Sequence, residues 1–338
     1  MTMHRKELSY YVSSFFTEYL GNEAGLSINT IKSYRDAFIL FFKYLEETGI
    51  CKISKLKMDT LNADNVIGFL DWLEQSRGCS ISSRNQRLAA LKAFCGYVAR
   101  KSSEESALCQ AVLKIRVKKA PQKSVDYLSL DAVEYLLKIP DSRSLQGIRD
   151  LAMIALMYES GCRVQELINL RVGNIAFRSP NTVTLTGKGN KARVIPISAN
   201  AANIIKAYLN PTGICDTAHP VFVNRHDKPL SRSGVSYVLG KYGDIARKAR
   251  PELYPSKLHP HILRHSKAMH LLENGVNLIY IRDFLGHSSV TTTEIYAKCN
   301  PELKRKYIEQ AGSLITDTVE EYSESEKEAL IAWLRKNI

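Results

Sequence analysis

The chain has 338 residues, 45% of them hydrophobic, which is long for one typical domain and enough to give each of two domains its own core. The longest clean apolar run, Leu151 to Tyr158, is far too short to cross a bilayer, and the opening MTMHRKELSYYVSSFFTEYL mixes charges into its apolar residues unlike a signal peptide, so a cytoplasmic protein is expected. Lys and Arg total 47 against 34 Asp and Glu, a net +13 that suits a polyanionic partner, while seven scattered cysteines with no CxxC pair and no Cys/His cluster indicate neither a disulfide framework nor a zinc site.

The first third reads as helices. Apolar residues recur at helical spacing over Lys6–Leu20, Ser27–Thr48, Ala63–Arg77 and Ser80–Lys101, and several of these segments open on a Ser or Asn in a capping position. In the second segment Ile31, Tyr34, Phe38, Phe41, Phe42 and Leu45 make the stripe, and Lys32 and Arg35 fall off it. In the fourth, Arg84 and Arg87 precede a stripe of Leu88, Leu91 and Phe94. These four basic residues are candidates for contacts to phosphates or bases, and an ordinary solvated helix face accounts for the same letters. Residues 114–125, KIRVKKAPQKSV, then carry five basic residues, no acid and Pro121, the composition of a linker. Lys118 and Lys119 within it are further candidates to face a polyanion, although a solubilising tether reads the same way.

Helical spacing resumes at Ser129–Ile139 and Leu145–Ser160 and gives way at NTVTLTGKGNKARVIPIS, where β-rich runs flank a Gly-Lys-Gly-Asn-Lys turn, the pattern of a hairpin. Helices are expected again at Ala199–Leu209, Ser231–Arg250, His261–Asn274, Leu278–Leu285 and Glu302–Ser313, with an amphipathic run from Glu320 to Lys336 at the end. From Ile315 onward six acids outnumber three bases, a net −3, so residues 1–314 sum to +16 and the tail is not expected to face the polyanion. The expected fold is mainly α with a small β-hairpin or sheet. Its expected divisions are a helical domain over 1–115, a basic linker over 116–126, a mixed α/β domain over 127–314 and a tail helix over 315–338.

Four patches in the second part hold residues suited to phosphoryl transfer. In Ser160-Gly161-Cys162-Arg163-Val164-Gln165-Glu166-Leu167, Gly161 closes one helix, and Arg163 and Glu166, three apart at the start of the next, share a face. A structural ion pair fits them as well. In Thr186-Gly187-Lys188-Gly189-Asn190-Lys191-Ala192-Arg193 a hairpin tip between glycines lets Lys188 reach a ligand and donate a proton to a departing oxygen, or lets it sit in solvent like most turn lysines. In His259-Pro260-His261-Ile262-Leu263-Arg264-His265 the i, i+3 spacing sets His261 beside Arg264 at a helix start, as a phosphate clamp or as packing. In the stretch from Leu285 to Tyr296, Gly286 ends a helix, His287 lies in the turn, and Tyr296 follows nine residues later, where a core aromatic is equally at home.

Taken together, the ordered set GCRVQEL, TGKGNK, HILRH, LGH and TTTEIY resembles the tyrosine recombinases, also called phage integrases, and among them the Xer-like and mobile-element types. The motifs span roughly Ser160 to Tyr296, and the helical first part resembles that family's core-binding domain more loosely. The resemblance implies that Tyr296 is the nucleophile that joins a DNA 3′ phosphate and frees a 5′ hydroxyl. It implies that Arg163 and Arg264 grip the non-bridging oxygens, that His287 adds a hydrogen bond to the same phosphate, that Lys188 is the acid for the leaving oxygen, that His261 handles the tyrosine proton, and that Glu166 is a supporting acid. No metal, ATP or other cofactor is called for, because cations of the chain take over charge stabilisation. Four protomers acting on double-stranded DNA are implied as well, with accessory proteins as further partners and the tail docked on a neighbouring protomer or on its own. Lys267, where many family members have an aromatic residue, leans the reading toward mobile-element recombinases. A type IB topoisomerase, or a DNA-binding protein with a vestigial site, are the competing functions.

Overall fold

The computed structural model describes residues 7–120, 126–214, 216–287, 289, 293–294, 296, 305 and 324–337. The chain forms two compact units, Met1–Lys123 and Ser124–Ile338. The first is wholly helical among its described residues. Helix α1 (Leu8–Ser14) runs directly into a wider π-helical stretch, Phe15–Glu23, where Ala24 N donates to Tyr19 O, five residues back, at 2.8 Å. Helices α2 (Ile28–Glu47), α3 (Ala63–Gln75) and α4 (Ile81–Lys101) start where Ser27, Asn62 and Ser80 accept from backbone N–H groups of the first turn, and α5 (Ser106–Leu113) closes the unit. Their inner faces meet in an aromatic cluster: Phe15, Phe38 and Phe94 pack with centroids 5.2–6.3 Å apart, and Phe41 stands edge-on to Phe69 at 5.3 Å. Tyr97 donates to Ser14 inside this core at 2.7 Å, satisfying both hydroxyls where the helix changes pitch.

In the second unit, α6 (Leu130–Lys138), α9 (Ala199–Thr212), α10 (Arg232–Ala249) and α11 (Pro260–Glu273) surround α7 (Leu145–Ser160), whose Ala152, Met153, Ile154 and Leu156 are inaccessible to solvent. A helix buried on several sides cannot show a clean apolar stripe. Its one buried acid, Asp150, is matched by Arg149 Nη2 at 2.7 Å and by the Tyr242 hydroxyl of α10 at 3.1 Å. The short α8 (Val164–Ile168) leads into an antiparallel sheet, β1 (Ile175–Ala176), β2 (Thr182–Thr186) and β3 (Ala192–Pro196), paired in that order with Val183 opposite Ile195. Val183, Leu185 and Ile195 point into the core, and the tip between β2 and β3 turns through the left-handed residues Gly189 and Asn190. Helix α12 (Leu278–Leu285) follows α11, and a terminal helix spans Glu324–Asn337.

The mainly helical class with one small sheet is the expected one. The α5 helix and the two-residue β1 had no strong period to reveal them. The helix expected at Glu302–Ser313 lies outside the described residues except for Arg305. Among the described residues no helix is long and apolar enough to cross a membrane, and no group of His, Cys, Asp and Glu is placed to hold a metal ion.

Candidate active site

The site begins where α7 stops. Gly161 takes a left-handed conformation, φ 56°, and an added Cβ would lie 3.0 Å from the Phe284 ring, so glycine lets the chain reverse against α12. Two residues later Arg163 caps α8, and Glu166 folds back to accept from Arg163 N and Arg163 Nη1, both at 2.9 Å. The same carboxylate receives a two-pronged ion pair from Arg193 of β3, Nη1 to Oε1 at 2.9 Å and Nη2 to Oε2 at 2.7 Å. Glu166 is only 4% exposed. Burial pushes its carboxyl up, but the bonds from Arg193 and then Arg163 outweigh burial and hold it below the usual carboxylate range. The hairpin tip passes close by, since a Cβ on Gly187 would stand 3.2 Å from Glu166 Oε1. Lys188, the next residue, follows in the tip, and its side chain lies outside the described residues.

Three arginines from three distant stretches then converge on one helix end. Arg193 Nε donates to Phe284 O at 2.9 Å, Arg264 Nη2 to Leu285 O at 2.6 Å, and Arg163 Nη2 to Gly286 O at 3.1 Å. The last carbonyls of a helix have no partner within it and carry the negative end of its dipole, so α12 supplies a ready-made socket for guanidinium groups. Arg264 is fixed a second time through Nη1 to Gly161 O at 2.6 Å, tying the ends of α7 and α12 together. It is 3% exposed, whereas 36% of the Arg163 side chain is open to solvent. Burial first, and Arg163 second, lower the Arg264 pKa to about 10, which still leaves the group charged at neutral pH.

Gly286, φ 64°, lets the chain leave α12 beneath these groups, and a Cβ there would sit 2.9 Å from Arg193 Nη1. Gly286→Ala is therefore expected to cost about 1–2 kcal/mol from the left-handed backbone alone, to displace Arg193, and to lower the activity of the site by more than the loss of stability explains. Thermal denaturation read beside single-turnover kinetics checks this.

The histidines and Tyr296 complete the cluster. His287 follows Gly286, contacts Thr293 Oγ1 through Nδ1 at 3.0 Å, and has its pKa lowered to about 4 by burial and then by Arg264 and Arg163. His261 opens α11 and is exposed; packing beneath its ring and the charges of Arg264, His259 and Arg163 hold its pKa below the ordinary value. Tyr296 is 1% exposed and packs with Met269, Ile281 and Leu285, and its hydroxyl lies 2.8 Å from His265 Nδ1. Arg163, Glu166, Arg264, His287 and Tyr296 thus gather around the ends of α7 and α12, within one unit of the chain.

Residues 126–302 match the phage integrase family, and residues 14–102 match the phage integrase N-terminal SAM-like domain. A putative integrase/recombinase of Sinorhizobium fredii, y4rC, is 34% identical over 304 residues, covering 90% of this chain and 91% of that protein. The chain belongs to the phage integrase family. Tyrosine recombinase XerD of Listeria innocua is 32% identical over 83% of this chain and 91% of its own length. The integrase of transposon Tn1549, in a structure with transposon right end DNA, shares the fold at a TM-score of 0.70 and 16% identity, over 88% of this chain and 98% of that one.

Two residues of this phage integrase's site were not singled out from its sequence. Arg193 came at the end of the hairpin patch with nothing local to mark it, because its partners lie 27 and 91 residues away in the chain. His265 was visible only as a neighbour of Arg264. Lys267 turns inward, pairing with Glu159 at 3.2 Å and lying over the Tyr158 ring.

The basic candidates of the first unit are placed differently from one another. Lys32 and Arg35 are exposed on α2, the latter paired with Asp36 at 2.9 Å. Arg84 is buried, 7% exposed, with Nε 2.8 Å from Glu74, so one turn before Leu88 it continues the inward face of α4 and does not meet solvent. Half-buried Arg87 donates to Ser83 O at 2.9 Å. Lys118 also pairs with Glu74, at 2.7 Å, and its backbone exchanges hydrogen bonds with Asn85, which ties the start of the expected linker to the first unit. Lys119 is exposed.

Proposed function

We propose that the protein is a site-specific recombinase that breaks and rejoins double-stranded DNA through a covalent bond between Tyr296 and a 3′ phosphate. The observation that carries this reading is the convergence of Arg163 and Arg264 on the carbonyls that end α12, with His287 in the turn that follows and Tyr296 packed against Leu285 of the same helix. A phosphodiester attacked by a phenol passes through a state with extra negative charge on its non-bridging oxygens, and fixed guanidinium forks in a site with little water stabilise that charge without reorganising. Arg163, with its exposed edge, meets the phosphate first, Arg264 completes the grip, and His287 adds a hydrogen bond. Lys188 protonates the leaving 5′ oxygen, and Glu166 holds Arg163 in place.

The bond energy stored in the phosphotyrosine allows a second 5′ hydroxyl to attack it, so strands are exchanged with neither ATP nor metal. Four protomers on two duplexes suit that exchange. The terminal helix, with Ile331, Trp333 and Leu334 exposed, is a reasonable arm between them. The first unit serves as the DNA-gripping domain through Lys32, Arg35, Arg87, Lys118 and Lys119, with Arg84 acting from beneath as a support. A cytoplasmic location suits action on DNA.

The test is trapping on a nicked duplex whose cleaved end diffuses away. A covalent protein–DNA adduct that the Tyr296→Phe variant does not form is the expected result, and no adduct on DNA that the protein binds specifically overturns the reading. Relaxation of a plasmid that lacks any target site would point instead to a topoisomerase.

A further inference from the structure

We propose that Arg193 is a positioning residue that sets the β2–β3 tip carrying Lys188 against the arginines that grip the phosphate, so that leaving-group acid and grip are assembled together. The proposal rests on the recombinase reading above. In that reaction the Tyr296 oxygen bonds to phosphorus while its proton passes to His261. The P–O5′ bond breaks with its electron pair on the 5′ oxygen, and Lys188 gives that oxygen a proton.

The two functions stand on different supports. Arg163 caps α8 and Arg264 belongs to α11, whereas Lys188 lies in the tip of a hairpin. The sheet braces that hairpin weakly, because β1 pairs with β2 over two residues and β3 is an edge strand with a ladder on one side only. The tip is closed by Gly187 N donating to Lys191 O at 2.9 Å, next to the pairing of Thr186 with Ala192.

Arg193 supplies the missing brace. It shares the inward side of β3 with Ile195, and its side chain is 14% exposed. All three guanidinium nitrogens are engaged: Nε with Phe284 O at the end of α12, and Nη1 and Nη2 with the two oxygens of Glu166 in α8. With every nitrogen so held, Arg193 acts through its neighbours. Glu166 Oε1 accepts from Arg163 Nη1 and Arg193 Nη1 alike, both at 2.9 Å, so one oxygen registers the hairpin against the phosphate grip. The base of the tip rests on the same pair, since a Cβ on Gly187 would lie 3.2 Å from Glu166 Oε1 and 3.7 Å from Arg193 Nη1. Lys188 follows Gly187 directly. Moving Arg193 therefore moves the point from which the acid acts, and an error of about 1 Å in such a placement costs on the order of 10²-fold in rate.

The experiment measures single-turnover cleavage by the full chain on two duplexes that differ at one atom, with oxygen or sulfur bridging phosphorus to the 5′ carbon at the cleaved bond. A thiol, with a pKa of about 8.5, leaves as its anion and needs no proton. Sulfur should therefore rescue Lys188→Ala and leave Arg163→Ala slow. Arg193→Gln should lose roughly 10²-fold on oxygen and recover most of that loss on sulfur. In a Lys188→Ala background the same change should cost far less than in the wild type, because its effect passes through the missing acid. A role confined to stability or to the phosphate grip would lower both rates alike and add in full to Lys188→Ala.

A wild-type rate in Arg193→Gln, equal losses on the two duplexes, or full additivity with Lys188→Ala overturns the proposal. So does a Lys188→Ala enzyme that sulfur does not rescue, which leaves no acid on the tip to place. If Arg193→Gln does not fold, Gly187→Ala makes the same comparison with the ion pair intact. Gly187, φ −96°, has extended backbone open to alanine, and the new methyl group presses the tip away from Glu166. A defect that sulfur removes is expected there, and a wild-type rate on oxygen or an equal loss on both duplexes overturns the assignment. An adduct that persists in Tyr296→Phe is a separate outcome and strikes the recombinase reading itself.

Discussion

Replacing Arg264 by alanine is expected to bring DNA cleavage below detection, and replacing it by lysine to reduce cleavage by about 10²- to 10³-fold, while DNA affinity at matched salt changes little. The guanidinium donates to Gly161 O and Leu285 O, both at 2.6 Å, from a position that is 3% exposed. Its plane is set by two backbone carbonyls that belong to different helices, so it reaches the phosphate already oriented. Lysine keeps the charge but offers one nitrogen where two are needed, and cannot span both carbonyls. Alanine leaves two buried carbonyls without donors, at about 1–3 kcal/mol each, so the second unit should also melt at lower temperature. Affinity is spared because overall binding follows the number of phosphates neutralised at the surface, and a buried arginine contributes little to that number. Single-turnover cleavage, filter binding across salt concentrations and thermal denaturation separate these effects. A variant that cleaves at the normal rate would remove Arg264 from the site.

Much of this was readable from residues close together in the chain. Segment ends in particular were marked by capping Ser and Asn residues and by Gly161 and Gly286, which is why α2, α4, α7 and α12 fall within about two residues of their expected limits. Arg163 and Glu166 paired as their i, i+3 spacing implied, since that spacing fixes neighbours on a helix whatever the rest of the chain does. Features set by tertiary contact were not readable. The π-helical stretch after Ser14 depends on how Phe15, Tyr19 and Tyr97 pack. Arg84 lies one turn before Leu88 on the same face of α4, where its charge suggested a polyanion contact, but Glu74 of α3 supplies the counter-charge that lets it be buried. At the α11 start, i, i+3 spacing drew attention to His261 and Arg264, yet the tyrosine arrives one turn further on, beside His265. Arg193 had no local signal at all, because its role exists only once β3, α8 and the end of α12 meet.

That meeting point makes Glu166 the second place where a single change should have a large effect. Glu166→Ala is expected to destabilise the second unit by roughly 3–5 kcal/mol, the range for breaking a buried ion pair from one side, because Arg193 and Arg163 are left facing each other with no counter-charge. Repulsion between them would pull at Phe284 O and Gly286 O, the two carbonyls that Arg193 and Arg163 hold, and the third arginine is anchored on the carbonyl between them. Cleavage should therefore fall together with stability, although Glu166 touches no reacting atom.

The pH dependence identifies charge as the cause. The folded carboxyl titrates below its unfolded value, so its stabilisation is fully present above the ordinary carboxylate range, near about 4.3, and is lost as pH falls through the lower folded value. Glu166→Gln, which keeps the shape and one acceptor oxygen, should thus be clearly less stable than the wild type at neutral pH and approach it in acid. Denaturant unfolding at both pH values measures the gap. A gap of constant size would mean that Glu166 holds the three arginines by fit and not by charge, and the electrostatic account of how this site is preassembled would have to be abandoned.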